Sequence, residues 1–216
     1  MGQYCRTGLF VTFEGVEGCG KSTQARALKD ELSRRGTPVA LTREPGGTPL
    51  GERIRDILLD TGEAGMTPLA ELFLYLASRA EHVERRIRPL LEDGYVVISD
   101  RFADASVAYQ GGGRGLGAEF VSALNRPALN GVQVDVTFLL DLDPGEGLER
   151  LARCKGAEAP DRIESEQLEF HCRVREAYLE AARSEPQRFV VLDAGQETGA
   201  ITARIVREID ERLGES

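Results

Sequence analysis

No apolar run in this chain of 216 residues approaches the ~18 needed to cross a bilayer, so a membrane span is not expected. Met1 to Gly8 contain no apolar signal core, and the chain is expected to stay in the cytoplasm. Cys5, Cys19, Cys154 and Cys172 form no C-x-x-C pair, and the two histidines, His82 and His171, stand far apart. A structural zinc site is therefore not expected, and the thiols read as free and reduced. Positive charge is scarce: 27 Lys and Arg face 36 Asp and Glu, for a net charge of −9. That balance argues against a nucleic-acid polymer as partner. Only Lys21, Lys29 and Lys155 are lysines, so any phosphate site must be built mainly from arginine. Repeats, low-complexity tracts and Pro/Ser-rich linkers are also missing. With 41% hydrophobic and 29% charged residues, the whole span 1–216 reads as one globular domain.

What is present is a series of short apolar runs, each followed by a helical pattern. Strands are expected over 9–13, 38–42, 95–99, 136–140 and 189–192. Helices are expected over 21–35, from Thr48-Pro49 to Asp60, from Thr67-Pro68 to Arg85, and over 117–129. Another opens at Asp143-Pro144, and two more cover 164–183 and 198–213. Pro89 should kink or split the end of the third helix. Gln110 to Gly115 reads as a glycine-rich loop, and a basic stretch from Arg150 to Arg162 breaks the periodic pattern. Strands alternating with helices imply βαβ units, hence an α/β fold: a five-stranded parallel sheet with helices on both faces.

The strongest motif is Gly15-Val16-Glu17-Gly18-Cys19-Gly20-Lys21-Ser22, which matches G-x-x-x-x-G-K-[ST] between a strand and a helix. Glycines let backbone N–H groups wrap a phosphate, and the following helix points its positive end at the anion. Lys21 can reach the β- and γ-phosphates and Ser22 can hold Mg²⁺, which makes ATP with Mg²⁺ the expected donor. Asp100 closes the third strand at the sheet's carboxyl edge, beside this loop, where it can hold Mg²⁺ directly or through water. Arg101 follows and can grip a phosphate with two N–H groups. No Asn-Lys-x-Asp guanine motif exists, which disfavours a GTPase switch. From these residues alone, a kinase acting on a small alcohol stays open, with Glu14 or Glu17 as its base. Tyr75 and Arg79 lie four apart on the third helix and share a face; read bare, such an aromatic is more often core than a base platform.

Four blocks together, the first enclosing the Gly15–Ser22 motif, make the pattern specific. They are Phe13 to Thr23, Thr42-Arg43-Glu44-Pro45-Gly46-Gly47-Thr48, Asp100-Arg101-Phe102 with Ala108 to Gly115, and Asp161-Arg162-Ile163-Glu164. In order and spacing the chain resembles the bacterial thymidylate kinases over nearly its whole length. The resemblance implies that dTMP is phosphorylated by ATP to dTDP, in a homodimer. It implies nucleotide contacts from Gly15 through Ser22 and Thr23. It places Glu17 near the sugar and phosphate of the monophosphate, Tyr75 on the thymine ring and Arg79 on the base. Ser106 matches a position at the base's polar edge, where some relatives carry Asn. Tyr109 matches the aromatic that prefers deoxyribose, and Gln110 a contact to base or phosphate. Arg43, Arg101 and Arg114 become candidates for clamping the acceptor phosphate. Arg150, Arg153, Lys155 and Arg162 fall in a basic lid at about 150–162. Lys21, Arg101, Arg153, Lys155 and Arg162 are the expected charge cage around the transferred group.

Overall fold

The computed structural model describes residues 7–63, 65–156 and 159–214. Cys5, the segment 1–6 and lid positions 157–158 lie outside the described residues. Five strands form one parallel sheet: β1 (Leu9–Glu14), β2 (Val39–Arg43), β3 (Val96–Asp100), β4 (Val136–Asp141) and β5 (Phe189–Asp193), in the order β2-β3-β1-β4-β5. The expected five-stranded parallel sheet is what the chain forms. Its strands read as continuous apolar runs because helices cover both faces. The period of two still sorts them. Val11 and Phe13 point to the larger core with Ile98, Leu28 and Val174, and Phe10 points to the smaller one with Val97 and Phe102.

The first two helices are α1 (Lys21–Arg34) and α2 (Pro49–Leu59). Thr48 caps α2 by accepting the Gly51 N–H at 3.0 Å, and Pro49 occupies the first turn. The long helix expected to reach Arg85 divides instead. α3 (Pro68–His82) passes through a wide π turn, Val83–Ile87, into α4 (Arg88–Glu92). Pro89 lacks an N–H for the preceding turn, and the wide turn accommodates it.

Three expectations need correcting. Gln110 to Gly113 are not a loop: α5 (Ala103–Ser106) continues into a π turn, Val107–Gly113, before α6 (Ala118–Leu129). The glycines serve packing there, since a Cβ on Gly112 would lie 2.6 Å from Ala177 Cβ, and one on Gly113 2.6 Å from the Phe170 ring. The basic stretch breaks the helical pattern later than expected, because α7 (Pro144–Lys155) runs through Arg150 and Arg153, capped by Asp143. The next helix, α8 (Leu168–Ser184), starts at 168 rather than 164. Asp161 draws the N–H groups of Ile163 and Glu164 onto its carboxylate, each at 2.9 Å, while Glu164 accepts the Asp161 N–H. That reciprocal turn holds 161–164 outside the helix. α9 (Thr198–Leu213) ends the described chain. Among the described residues no helix is long and apolar enough to cross a membrane.

Candidate active site

β1 and β3 are neighbours, with Phe13 opposite Asp100, so the loop after β1 and the Asp100-Arg101 pair meet at the carboxyl edge of the sheet. The loop Gly15–Gly20 needs its glycines for close approach. A Cβ on Gly18 would lie 1.9 Å from the Gly147 carbonyl, and one on Gly15 2.5 Å from that of Leu140; both residues have positive φ. Val16 and Cys19 turn their side chains into the core, leaving backbone as their contribution. Lys21 folds back along the loop and donates from Nζ to the Val16 carbonyl at 2.7 Å, with Cys19 Sγ at 3.6 Å. Ser22 donates its hydroxyl to Asp100.

A cavity of about 470 Å³ opens over this loop, walled by Glu17, Gly18, Gly20, Lys21, Ser22, Thr23, Arg43, Asp100 and Arg101, with Arg55 and Arg150. A narrower one of about 130 Å³ lies beside it and brings Glu17, Tyr75, Arg101, Ser106, Tyr109 and Gln110 together, with Glu44 and Leu59. Glu17, Glu44, Arg55, Arg101 and Glu164 wall both.

Arg101 sits at this junction with φ of 69°. Its backbone N–H bonds the Phe13 carbonyl, and its guanidinium bonds Glu17 at 2.6 Å and the Gly15 carbonyl at 3.1 Å while lying over the Tyr109 ring. The Tyr109 hydroxyl donates to the same Glu17 oxygen at 2.9 Å. Burial opposes ionisation of Glu17, but Arg101, Lys21 and Tyr109 outweigh it and hold the carboxyl at about 2. Arg79 is sealed behind the narrow cavity. It bonds Glu44, Ser106, Asn125 and the Phe102 carbonyl, and His82 braces Glu44 from the other side at 3.0 Å.

Glu14 is buried one residue before the loop, taking the Phe102 N–H and the Tyr178 hydroxyl, each at 2.7 Å. Burial and the charge of Asp104 push its carboxyl up to about 8, against Tyr178, Arg101 and the Phe102 N–H. A carboxyl raised on folding stabilises fully below its unfolded pKa, and that stabilisation is lost as pH rises through the folded value. From about pH 4.5 to 8 this residue therefore makes the fold progressively less stable. Glu14→Gln removes the titration, so scanning calorimetry should show the variant's Tm gaining on wild type between pH 5.5 and 8.5; a constant difference refutes it.

The basic residues divide differently from expectation. On α7, Arg150, Leu151 and Cys154 face the wide cavity. Arg153 bonds the Glu149 carbonyl on the exposed side, and Lys155 pairs with Glu164 at 2.6 Å. Arg162 is buried, bonding the Leu58 carbonyl at 2.8 Å and Glu71 at 2.6 Å. Arg114 pairs with Glu71 and Glu166. Helical period is the reason on α7: positions 150, 151 and 154 fall within one arc of about 100°, and 153 and 155 lie outside it on either side. Arg43 pairs with Glu52 at 2.8 Å and still reaches the wide cavity. Arg55, Glu44 and Glu71 were not singled out in the sequence. The only hint for Arg55 was its place on α2, just after the Arg-Glu-Pro-Gly-Gly-Thr block.

The family model described as thymidylate kinase matches residues 13–205. The chain belongs to the thymidylate kinase family. A thymidylate kinase of Desulfosudis oleivorans is 48% identical, the match covering 94% of this chain and 96% of the relative. One of Deinococcus radiodurans is also 48% identical, covering 95% and 98%. The crystal structure of thymidylate kinase from Ehrlichia chaffeensis superposes with a TM-score of 0.76 at 32% identity, covering 94% of this chain and 98% of that one. The family match begins at Phe13, one residue before Glu14, and so takes in the loop, both cavities and the 161–164 turn.

Proposed function

We propose that this chain transfers the γ-phosphoryl group of ATP to dTMP, giving dTDP and ADP. The observation that carries the reading is the shared wall: a cavity over a phosphate-binding loop and a narrow aromatic-lined cavity meet at Arg101 and Arg55. The narrow cavity takes base and sugar, with Tyr75 as the stacking platform, Ser106 and Gln110 at the polar edge, Arg79 bracing Ser106 from behind, and Tyr109 against the sugar. The acceptor phosphate emerges toward Arg101, Arg55 and Arg43. Lys21 and the loop N–H groups take the ATP phosphates. No protein nucleophile is required, because a phosphate oxygen of the acceptor attacks phosphorus; positioning and electrostatics supply the rate.

Ser22 and Asp100 are already in contact, and a hydroxyl beside a carboxylate, completed by phosphate oxygens and water, suits Mg²⁺. Bound there, Mg²⁺ would neutralise phosphate charge. Arg153, Lys155 and Arg162 reach the transferred group only if α7 and the 161–164 turn move; Arg150 needs the smallest change. An alcohol kinase would need a basic carboxylate at the acceptor. Glu17, held at about 2 and bonded to Arg101 and Tyr109, is a poor base.

An ADP-release assay over dTMP, dUMP, UMP, AMP, thymidine and shikimate tests the reaction. dTMP should be turned over best. Turnover of thymidine without dTMP overturns the reading.

The whole chain acts as one domain in this proposal, in the cytoplasm, which suits the unpaired Cys19, Cys154 and Cys172. It works as a homodimer. Leu69 and Phe73 lie four apart on α3 with 40% and 52% of their surface exposed, and Phe120 on α6, which packs on α3, is 48% exposed. Such an apolar face suits a second copy. Phe73→Glu should sediment as a monomer, whereas an unchanged dimer would move the interface elsewhere.

A further inference from the structure

Glu71 is a fully buried carboxylate on α3 that no motif singled out. Four hydrogen-bonded donors converge on it: Gln110 Nε2 at 2.8 Å and Arg114 Nε at 3.1 Å on one oxygen, Arg114 Nη2 at 3.0 Å and Arg162 Nη1 at 2.6 Å on the other. Burial opposes its ionisation, but these donors outweigh it and hold the carboxyl below the ordinary range. An ionised carboxylate only accepts. The Gln110 amide, which could otherwise sit either way round, must turn its NH₂ to Glu71 and its carbonyl away. Among the described residues no donor reaches Gln110 Oε1; Gln110 is 1% exposed, that oxygen is not fully enclosed, and the residue lines the narrow cavity.

We infer that Glu71 is a specificity-determining positioning residue: it locks the Gln110 amide so that a carbonyl, not an amino group, faces the base. This rests on the reading of the narrow cavity as the base site. A uracil-type base offers an N3–H donor between two carbonyl oxygens, whereas cytosine offers a bare N3 and an amino group. A fixed acceptor at Gln110, beside the Arg79 and Ser106 cluster, pairs with the first edge and leaves the second with acceptor against acceptor. Polar groups left unpaired in a buried site reject a ligand far more strongly than missing apolar contact does. Arg114 and Arg162 then act on substrate choice through Glu71 rather than through phosphate.

The test compares kcat/KM for dTMP and dCMP in wild type, Glu71→Gln and Gln110→Met. Glu71→Gln frees the amide to turn, and Gln110→Met keeps its bulk without the acceptor, leaving Glu71 both arginines if the first variant folds poorly. Wild type should prefer dTMP, and each variant should lose about tenfold or more of that preference, mainly through KM for dTMP, with KM for ATP unchanged. A purely structural Glu71 would slow both nucleotides alike and leave the ratio intact; that result, or an unchanged ratio in Gln110→Met, overturns the inference. A wild type that does not phosphorylate dTMP at all sinks the reaction itself, and the inference with it.

Discussion

Lys21→Ala should lower kcat/KM for phosphoryl transfer by about 10³-fold while the protein stays folded. Lys21 is 7% exposed, and its ammonium rests on the Val16 carbonyl at 2.7 Å, curled against the loop that the glycines shape. An ammonium is a donor only, so an arriving phosphate can replace the carbonyl without any other group changing its protonation. Charge developing on the transferred group then meets a cation already in place, and preorganised charge of this kind dominates such reactions. Removing the side chain leaves one carbonyl to find water, a loss of about 1 kcal/mol in stability. Steady-state kinetics in ATP and dTMP together with a thermal melt check both halves. Activity within tenfold of wild type is incompatible with the role of Lys21.

Arg101→Ala should be the most damaging change, in stability and in activity together. Its guanidinium is 16% exposed and pairs with Glu17 at 2.6 Å, at the junction of both cavities. Deleting one partner of such a pair strands the other, at a loss of about 3–5 kcal/mol. The Glu17 carboxyl should rise from about 2 once its main counter-charge is gone. Because folding lowers that carboxyl, its contribution is present above about pH 4.5 and lost as pH falls toward 2. Wild type should therefore lose this stability on the acid side, and the variant should lack that part of the acid limb. Chemical denaturation at pH 7 and pH 3.5 tests it: an equal gap between the proteins at both values refutes the pairing. Arg101→Lys restores charge without the fork and should recover part of the stability but little of the rate.

Arg101 also marks how far residue patterns reach into the site. Its place after β3 follows from the apolar run Val96-Val97-Ile98-Ser99 and the rule that parallel strands deliver ligand groups at their carboxyl ends. Its φ of 69° and its hold on the Gly15 carbonyl follow from nothing local. Tyr75 and Arg79, four apart, were expected to share a face and do belong to one site, but Tyr75 lines the cavity while Arg79 is sealed behind it, because Glu44, Ser106, Asn125 and Phe102 surround its guanidinium. Those four come from distant parts of the chain, so spacing carries no trace of them. The Gly111-Gly112-Gly113 run shows the opposite failure. Locally it reads as a flexible turn, yet α8 packs so closely against Gly112 and Gly113 that a side chain at either would collide.

Residue order alone carries the parallel α/β sheet, the glycine-rich loop with Lys21, Ser22 and Asp100 at its edge, and the family. Each is written in local order: apolar runs, glycines at short spacing, a charged residue at a strand's end. Tertiary structure alone decided the division of labour among the charged side chains. Arg162 and Arg114 serve a buried carboxylate rather than a phosphate, and Glu71 governs the Gln110 amide. The physical reason is that a charge is directed by what surrounds it in space. Burial makes an unpaired charge too costly to leave alone, so the nearest counter-charges, 43 and 91 residues away along the chain for Glu71, settle where each side chain points.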